Sequence, residues 1–383
     1  MALATFGHVK TKGISTVIPA KEICIYDEAQ YYGNSVKKID RMRNIVGFYK
    51  RRVVEEGITA ADLCIQAAET LLQETGTDRQ KIEALIFVVQ RPDHSAPATA
   101  YYIHNRLGLE PSCLAFDIRQ GCPGWVYGMY VASSMIESGA VRKVLLLAGD
   151  TPSAGVDPAD RNVAPVFGDG GSATLLEYDE KGTISHFNIT VRSDGYEAII
   201  KPASGYRLPM HFDERDGELV AFRENSKGGR NRLVDLYMDG IAVFDFTMTC
   251  VPENIGELLD YAGMKRDDID YLMLHQANKQ IVQTVGMKAG FPEEKTPWRS
   301  FEQLGNQSIT SIPISTAFNL ADRLPQEKLR LLCSGFGNGL AVASAILEFD
   351  HVWCSGNREY RPDEAHLSRE QYIEYWVRKI KGE

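Results

Sequence analysis

Gly76-Thr-Asp-Arg-Gln-Lys-Ile82-Glu-Ala-Leu85-Ile-Phe87 can be laid without a gap on Gly263-Met-Lys-Arg-Asp-Asp-Ile269-Asp-Tyr-Leu272-Met-Leu274. Each segment follows a helical stretch, Ala67 to Leu72 in the first and Ile255 to Leu259 in the second, and each stops it at a glycine. Glycine suits that place because a helix end commonly turns through the left-handed conformation. Each segment then crosses a charged loop and enters an apolar run short enough to be a buried strand. A second match follows in the same order. Arg142-Lys-Val-Leu-Leu-Leu-Ala-Gly149 corresponds to Glu327-Lys-Leu-Arg-Leu-Leu-Cys-Ser-Gly335, and glycine-rich turns lead on to Ala173-Thr-Leu-Leu-Glu177 and Ser344-Ala-Ile-Leu-Glu348. Two matches in one order point to an internal duplication. Continuous apolar strands alternating with amphipathic helices imply sheets covered on both faces, hence an α/β layered architecture of two related halves. We place the junction near residue 182, which gives halves of residues 1–182 and 183–383.

Two stretches fall outside the repeat. Residues 186–237 lack periodicity and contain Asn225-Ser-Lys-Gly-Gly-Arg-Asn-Arg232, a basic loop read as a cap over one face. Residues 352–383 read as a tail in which Ser368-Arg-Glu-Gln371 is a capping-box pattern. It opens a helix with Tyr372, Ile373, Trp376, Val377 and Ile380 on one side, expected to pack on its own subunit, with a surface for a partner as the alternative.

The whole chain has 383 residues, with 42 Lys+Arg against 51 Asp+Glu and a formal charge of −9, so a general attraction to nucleic acid is not expected. No apolar run reaches the length of a membrane span, and Met1 to Lys10 lacks the charged-then-apolar pattern of a secretory signal. A cytoplasmic location without a membrane partner is the expectation. The seven cysteines are scattered, with no C-x-x-C pair and no Cys/His cluster at zinc spacing, so neither structural disulfides nor a metal site is expected.

Chemistry concentrates in four segments. Leu114 to Ile118 reads as a strand and Arg119-Gln-Gly121 as a tight turn, after which Cys122-Pro-Gly opens a helix with Trp125, Val126, Met129, Ala132, Met135 and Ile136 as its apolar positions. Pro123 suits a first helical position, and the free N–H groups and dipole there favour a thiolate at Cys122. Cysteine is also a common small core residue, which is the reading for Cys64, Cys113, Cys250 and Cys333. His275 ends the apolar run Ile269 to Leu274, at the sheet edge where α/β proteins build their sites, although a lone histidine is often structural. Gln303-Leu-Gly-Asn306-Gln-Ser308 is a polar turn before the apolar Ile309 to Ala317. Ser334-Gly-Phe-Gly-Asn-Gly339 follows a strand and offers consecutive backbone N–H groups to an oxyanion. Its G-x-G-x-G spacing does not fit a dinucleotide fingerprint.

Gly121-Cys122-Pro-Gly, His275-Gln-Ala-Asn278, Gly305-Asn306-Gln-Ser308 and Gly335-Phe-Gly-Asn-Gly339, in this order, resemble the thiolase superfamily, specifically the β-ketoacyl-acyl-carrier-protein synthase III group. Phe116-Asp-Ile, Asp157-Pro-Ala-Asp160, Phe167-Gly-Asp-Gly170 and Met238 to Phe246 are similar to further signatures of that group. The resemblance covers about residues 10 to 350. It implies a five-layered αβαβα sandwich of two duplicated halves, usually a homodimer. It also implies catalytic roles for Cys122, His275 and Asn306, an oxyanion hole from the backbone N–H groups of Cys122 and Asn338, and no permanently bound cofactor. The substrates implied are acyl-CoA or acyl-ACP together with malonyl-ACP or malonyl-CoA, joined by decarboxylative Claisen condensation.

Departures from the pattern bear on the substrate. Ala96, before Pro97, stands where housekeeping members resemble one another in carrying a bulky aromatic that closes the acyl tunnel across the dimer, so a differently shaped acyl pocket is expected. The segment Arg41 to Gly47 lacks the tryptophan and arginine that grip the adenine of coenzyme A in acetyl-CoA-using relatives. Gln280 replaces an arginine associated with carrier-protein docking, while Lys279, Lys227, Arg230 and Arg232 supply basic alternatives for an acyl carrier protein. These differences and the tail suggest a pathway-specific relative. Acyl transfer to a small-molecule hydroxyl or amine and a catalytically silent partner subunit remain as other readings. An α/β-hydrolase elbow fails, because residue 120 is Gln rather than Gly.

Overall fold

In the computed structural model, described for residues 2–160, 163–224, 230–363 and 366–383, the two matched segments fold alike. Helix Ala60–Glu74 leads to Gly76 at φ +61°, and helix Gly240–Ala262 leads to Gly263 at φ +64°. Short 3-10 turns, Arg79–Lys81 and Arg266–Asp268, then carry the chain past the buried Ile82 and Ile269 into strands Ala84–Val89 and Tyr271–Leu274. The pairing around these strands repeats as well. Ala84–Val89 lies parallel to Lys143–Asp150, which is antiparallel to Gly170–Tyr178, while Tyr271–Leu274 lies parallel to Lys328–Gly337, which is antiparallel to Ala341–Asp350.

The strand order is Leu114–Arg119, Ala84–Val89, Lys143–Asp150, Gly170–Tyr178, Ala2–Ile18, Thr183–Val191, Ala341–Asp350, Lys328–Gly337, Tyr271–Leu274. Ala2–Ile18 belongs to both halves. Its residues Val9 to Val17 pair with Gly170–Tyr178, and its residues Ala2 to Val9 pair with Thr183–Val191. Helix Ala60–Glu74 covers the outer face of the first half, and Gly240–Ala262 with Lys279–Lys288 covers that of the second. Helices Gly124–Glu137 and Ser311–Leu320 lie between, where Trp125, Met129, Ile312 and Leu320 share one core with Ile86, Leu146, Met273 and Leu331. The result is the five-layered αβαβα sandwich. Strands buried on both faces need no polar alternation, which is why Ala84–Val89 reads as an unbroken apolar run.

Three expectations need correction. The segment from His186 begins as strand, since Thr183–Val191 runs through it, and irregular structure starts only afterwards. Residues 352–383 are not simply a tail: Trp353–Glu359 is a strand that pairs in parallel with Gly13 to Ile18, on the edge opposite Gly170–Tyr178. Helix Arg369–Lys381 does form behind the Ser368 capping box, but none of its residues is buried. Its apolar side is open, with Tyr372, Ile373, Trp376, Val377 and Ile380 between 40% and 82% exposed. Among the described residues no helix is long and apolar enough to cross a membrane.

Candidate active site

The four residues Gln120 to Pro123 between strand Leu114–Arg119 and helix Gly124–Glu137 place Cys122 at the point where the chain reverses into the central layer. Pro123 is the residue before the helix rather than its first member, so Cys122 sits one position further out than expected. The glycine-rich loop closes over the sulfur. A Cβ on Gly337, whose φ is +142°, would stand 3.1 Å from Cys122 Sγ, so only glycine fits there.

His275 and Asn306 come from the second half, and with Cys122 and Asn338 they line one cavity of about 1190 Å³. The His275 N–H donates to the Ser334 carbonyl at 2.9 Å, which fixes the residue at the end of its strand. Its Nδ1 is 2.7 Å from Ser311 Oγ, and that oxygen also receives the Gln276 N–H at 3.4 Å. Ser311 Oγ accepts the Gln276 N–H and donates its own hydrogen to Nδ1, an assignment that leaves the ring proton on Nε2. Burial, against a partial counter-effect of the Ser308 carbonyl, pushes the imidazole down to about 3, so the ring is neutral at physiological pH.

Asn306 is held by a parallel bridge to Phe167: its N–H donates to the Val166 carbonyl at 2.8 Å, and the Gly168 N–H donates to its carbonyl at 3.1 Å. Gly168 is indispensable to that approach, because a Cβ there would overlap the Leu304 carbonyl oxygen. Asp169 anchors the same stretch by accepting from the Val54 N–H at 2.8 Å and the Ser153 N–H at 3.0 Å. Asn306 Oδ1 accepts from the Ser308 N–H at 2.8 Å, which assigns the side-chain nitrogen as the end left to donate.

Ser308, the last residue of the Gly305-Asn306-Gln-Ser308 motif, touches all three groups. Its Oγ lies 3.8 Å from Cys122 Sγ, its N–H holds Asn306, and its carbonyl faces the His275 ring. Its φ of +51° is rare for a residue with a side chain and is stored strain of the kind that gathers at functional sites.

The thiol departs from expectation. Burial pushes Cys122 up from its ordinary value, and the Asp150 carboxylate adds to the rise. The Ser308 hydroxyl and the N–H groups of Asn338 and Cys122 itself pull it down without offsetting the burial. The helix end therefore does not leave a resting thiolate. The two N–H groups aimed at the sulfur are nonetheless those expected to receive an oxyanion.

The other expected residues are placed less decisively. Ala96 is exposed and outside the cavity wall of its own chain, whereas its neighbour Ser95 is in that wall. Lys227 and the Arg230 side chain lie outside the described residues. Arg232 is tied to Asp235 at 2.8 Å and stacks on Phe222 at 4.9 Å, so it braces the cap. Lys279 opens helix Lys279–Lys288, and its Nζ lies 4.8 Å from the Trp298 ring centre.

Comparison with known proteins fits this geometry. Two family models match, 3-oxoacyl-[acyl-carrier-protein (ACP)] synthase III over residues 116–195 and its C-terminal counterpart over residues 259–349. A Campylobacter jejuni subsp. jejuni protein provisionally named 3-oxoacyl-[acyl-carrier-protein] synthase 3 is 34% identical over 91% of this chain and 96% of its own length. The chain belongs to the 3-oxoacyl-[acyl-carrier-protein] synthase III family. A second member, β-ketoacyl-[acyl-carrier-protein] synthase III of Streptococcus equi subsp. zooepidemicus, is 32% identical over 79% of this chain and 88% of its own length. The crystal structure of a 3-oxoacyl-(acyl-carrier protein) synthase from Burkholderia xenovorans LB400 superposes with a TM-score of 0.85 at 32% identity, covering 94% of this chain and 99% of that one. In this synthase III member the nucleophile candidate comes from one half and the two donors from the other, so the duplication brings two strand-end loops to one cavity.

Proposed function

We propose that this chain is a β-ketoacyl thioester synthase in which Cys122 carries the acyl group and His275 and Asn306 act on a malonyl thioester. The observation that carries the reading is the convergence of sulfur, imidazole and carboxamide on Ser308. In the first half-reaction Cys122 loses its proton and attacks the acyl thioester, and the N–H groups of Cys122 and Asn338 receive the tetrahedral oxyanion. In the second, Nε2–H of His275 and the side-chain nitrogen of Asn306 donate to the malonyl thioester oxygen. They stabilise the enolate formed as carbon dioxide leaves, and the enolate carbon attacks the Cys122-bound acyl carbon. A neutral imidazole is the right form for this, since it donates one hydrogen bond without surrendering its proton to the carbanion.

An acyl carrier protein is the proposed donor partner for at least one substrate, and among the basic candidates Lys279 falls between the wall residues Asn278 and Gln280. A homodimer is supported by strand Leu114–Arg119, which ends the sheet and pairs only with Ala84–Val89 among the described residues. Exposed Ala96 beside the wall residue Ser95 suits a position facing a second subunit. Carbon dioxide release from malonyl thioester in the presence of an acyl donor tests the function. No release with any donor, despite an acylated Cys122, would instead favour acyl transfer to a hydroxyl or amine.

A further inference from the structure

The cavity wall has a charge pattern opposite to that of the protein. The chain carries a formal charge of −9, yet among the described residues the wall contains Arg91, Arg119 and Lys201 and no Asp or Glu. Two of these cations meet. Arg91 donates from Nη2 to the Thr151 carbonyl, and Lys201 donates from Nζ to the Gly155 carbonyl at 3.2 Å. A Cβ on Gly155 would overlap the Arg91 guanidinium and stand 3.0 Å from Lys201 Nζ, so both cations crowd one glycine. Neither makes an ion pair among the described residues. Asp235, the carboxylate closest to answering Lys201, is already paired with Arg232 at 2.8 Å. Asp150 is the remaining one in range. It is 1% exposed and its Oδ1 accepts the Thr151 N–H at 3.0 Å, and Arg91, the Ser308 hydroxyl and Lys201 favour its charged form against burial, so one carboxylate answers two cations. Burial and then the nearby Arg91 guanidinium push the Lys201 ammonium down, which is the cost of holding two like charges together. Two half-buried cations facing one buried carboxylate leave an excess of positive charge in the cavity wall, which an anionic ligand would answer.

We infer that the acyl group loaded onto Cys122 ends in a carboxylate, held at its far end by Arg91 and Lys201, so that the donor is an ω-carboxyacyl thioester rather than a simple fatty acyl thioester. The inference rests on the synthase reading and names its substrate class. The pair lies on the nucleophile's side of the cavity: Asp150, within electrostatic reach of both cations, also acts on the Cys122 thiol and on Ser308. The carboxylate bound there is not the one a malonyl unit loses, because an ion pair stabilises a carboxylate ground state and opposes its departure as carbon dioxide. In the loading step Sγ forms a C–S bond to the acyl carbonyl carbon and the donor's own C–S bond breaks. The departing thiolate takes up the proton that Cys122 released, and the distal carboxylate is unchanged.

The test is the rate of acyl adduct formation on the intact protein, read by mass spectrometry without malonyl thioester. Succinyl-CoA and glutaryl-CoA are compared with butyryl-CoA and valeryl-CoA. Wild type is expected to load the carboxyacyl donors at least about tenfold faster than the neutral donors of equal carbon number, the scale of a charge-assisted hydrogen bond. Arg91→Met and Lys201→Met are each expected to bring that ratio toward one, and Arg91→Lys to preserve part of it. Because the ratio is taken within one preparation, partial unfolding of a variant cancels. A wild-type ratio of one or less overturns the inference. So does an equal slowing of all four donors in the variants, which would assign the cations to the phosphates of the carrier arm. No adduct from any donor overturns the synthase reading itself, and this inference with it.

Discussion

Ser308 Oγ stands 3.8 Å from Cys122 Sγ across the boundary between the two halves of the chain. The hydroxyl is the largest influence lowering the thiol against its burial. Ser308→Ala should therefore raise the thiol further and slow alkylation of Cys122 by iodoacetamide at pH 8 by about 2- to 10-fold, the range of one net hydrogen bond. An unchanged or faster rate, measured by peptide mass spectrometry, would remove Ser308 from the reaction.

The division of labour among the three cavity residues separates by step. Cys122→Ala should give no acyl adduct. His275→Ala and Asn306→Ala should still form the adduct while losing on the order of 10²- to 10³-fold in condensation rate, the usual cost of one donor to a developing oxyanion. Normal carbon dioxide release from malonyl thioester in either variant would contradict the roles proposed here.

Gly168 lets the Phe167 stretch reach Asn306, and Gly168→Ala inserts a methyl group where the Leu304 carbonyl stands. The expected result is a loss of at least about tenfold in condensation, since displaced catalytic groups cost rate steeply. Adduct formation on Cys122, which does not use Asn306, should fall much less. Equal losses in the two assays would mean that the substitution acts through global unfolding.

His275 ties stability to pH. Its imidazole takes a proton near 6.5 when unfolded but only at about 3 in the fold. Between these values the unfolded chain binds the additional proton, so acidification favours unfolding and the stability is lost as pH falls through that window. Going from pH 7 to pH 5, wild type should lose about 2 kcal/mol relative to His275→Gln. Asp169, which burial pushes up to about 6, acts with the opposite sign in both proteins and cancels in the comparison. A difference between the two that does not vary with pH, in denaturant melts, would show the ring to be already charged or accessible.

Helix Arg369–Lys381 is held to the rest of the chain by side-chain contacts such as His94 to the Tyr372 hydroxyl at 2.6 Å and Arg369 to Glu56 at 3.2 Å. With no buried residue to lose, removal of residues 368–383 should change the unfolding free energy by less than about 1 kcal/mol. A larger loss in a urea melt would show that its apolar side is covered in solution.

The duplication was legible because both copies keep the same local punctuation. Gly76 and Gly263 end helices, and Ile82 and Ile269 are buried just before unbroken apolar strands. Cys122, His275 and Asn306 each had a bland reading as core cysteine, structural histidine or ordinary turn, and it was the resemblance of their four motifs, in order, that set them apart as candidates. Trp353–Glu359 was not, because an edge strand with half-exposed polar residues carries no apolar alternation. The resting state of the thiol was misjudged because a helix end is local information and burial is not. Arg91 and Lys201 lie far apart in sequence and become neighbours only through Gly155, so nothing in either local stretch announces them.

Strand Ala2–Ile18 has to satisfy partners made at opposite stages of synthesis. Its early residues find Thr183–Val191 midway along the chain, and Gly13 to Ile18 find Trp353–Glu359 only after nearly all the rest has been made. While the polypeptide is still emerging from the ribosome, that part of the strand has one exposed edge and an incomplete sheet. Residues 1–182 expressed alone would leave that edge permanently uncovered, and residues 183–383 alone would lack the strand on which Thr183–Val191 and Trp353–Glu359 both pair, so the separated lobes should aggregate rather than recombine.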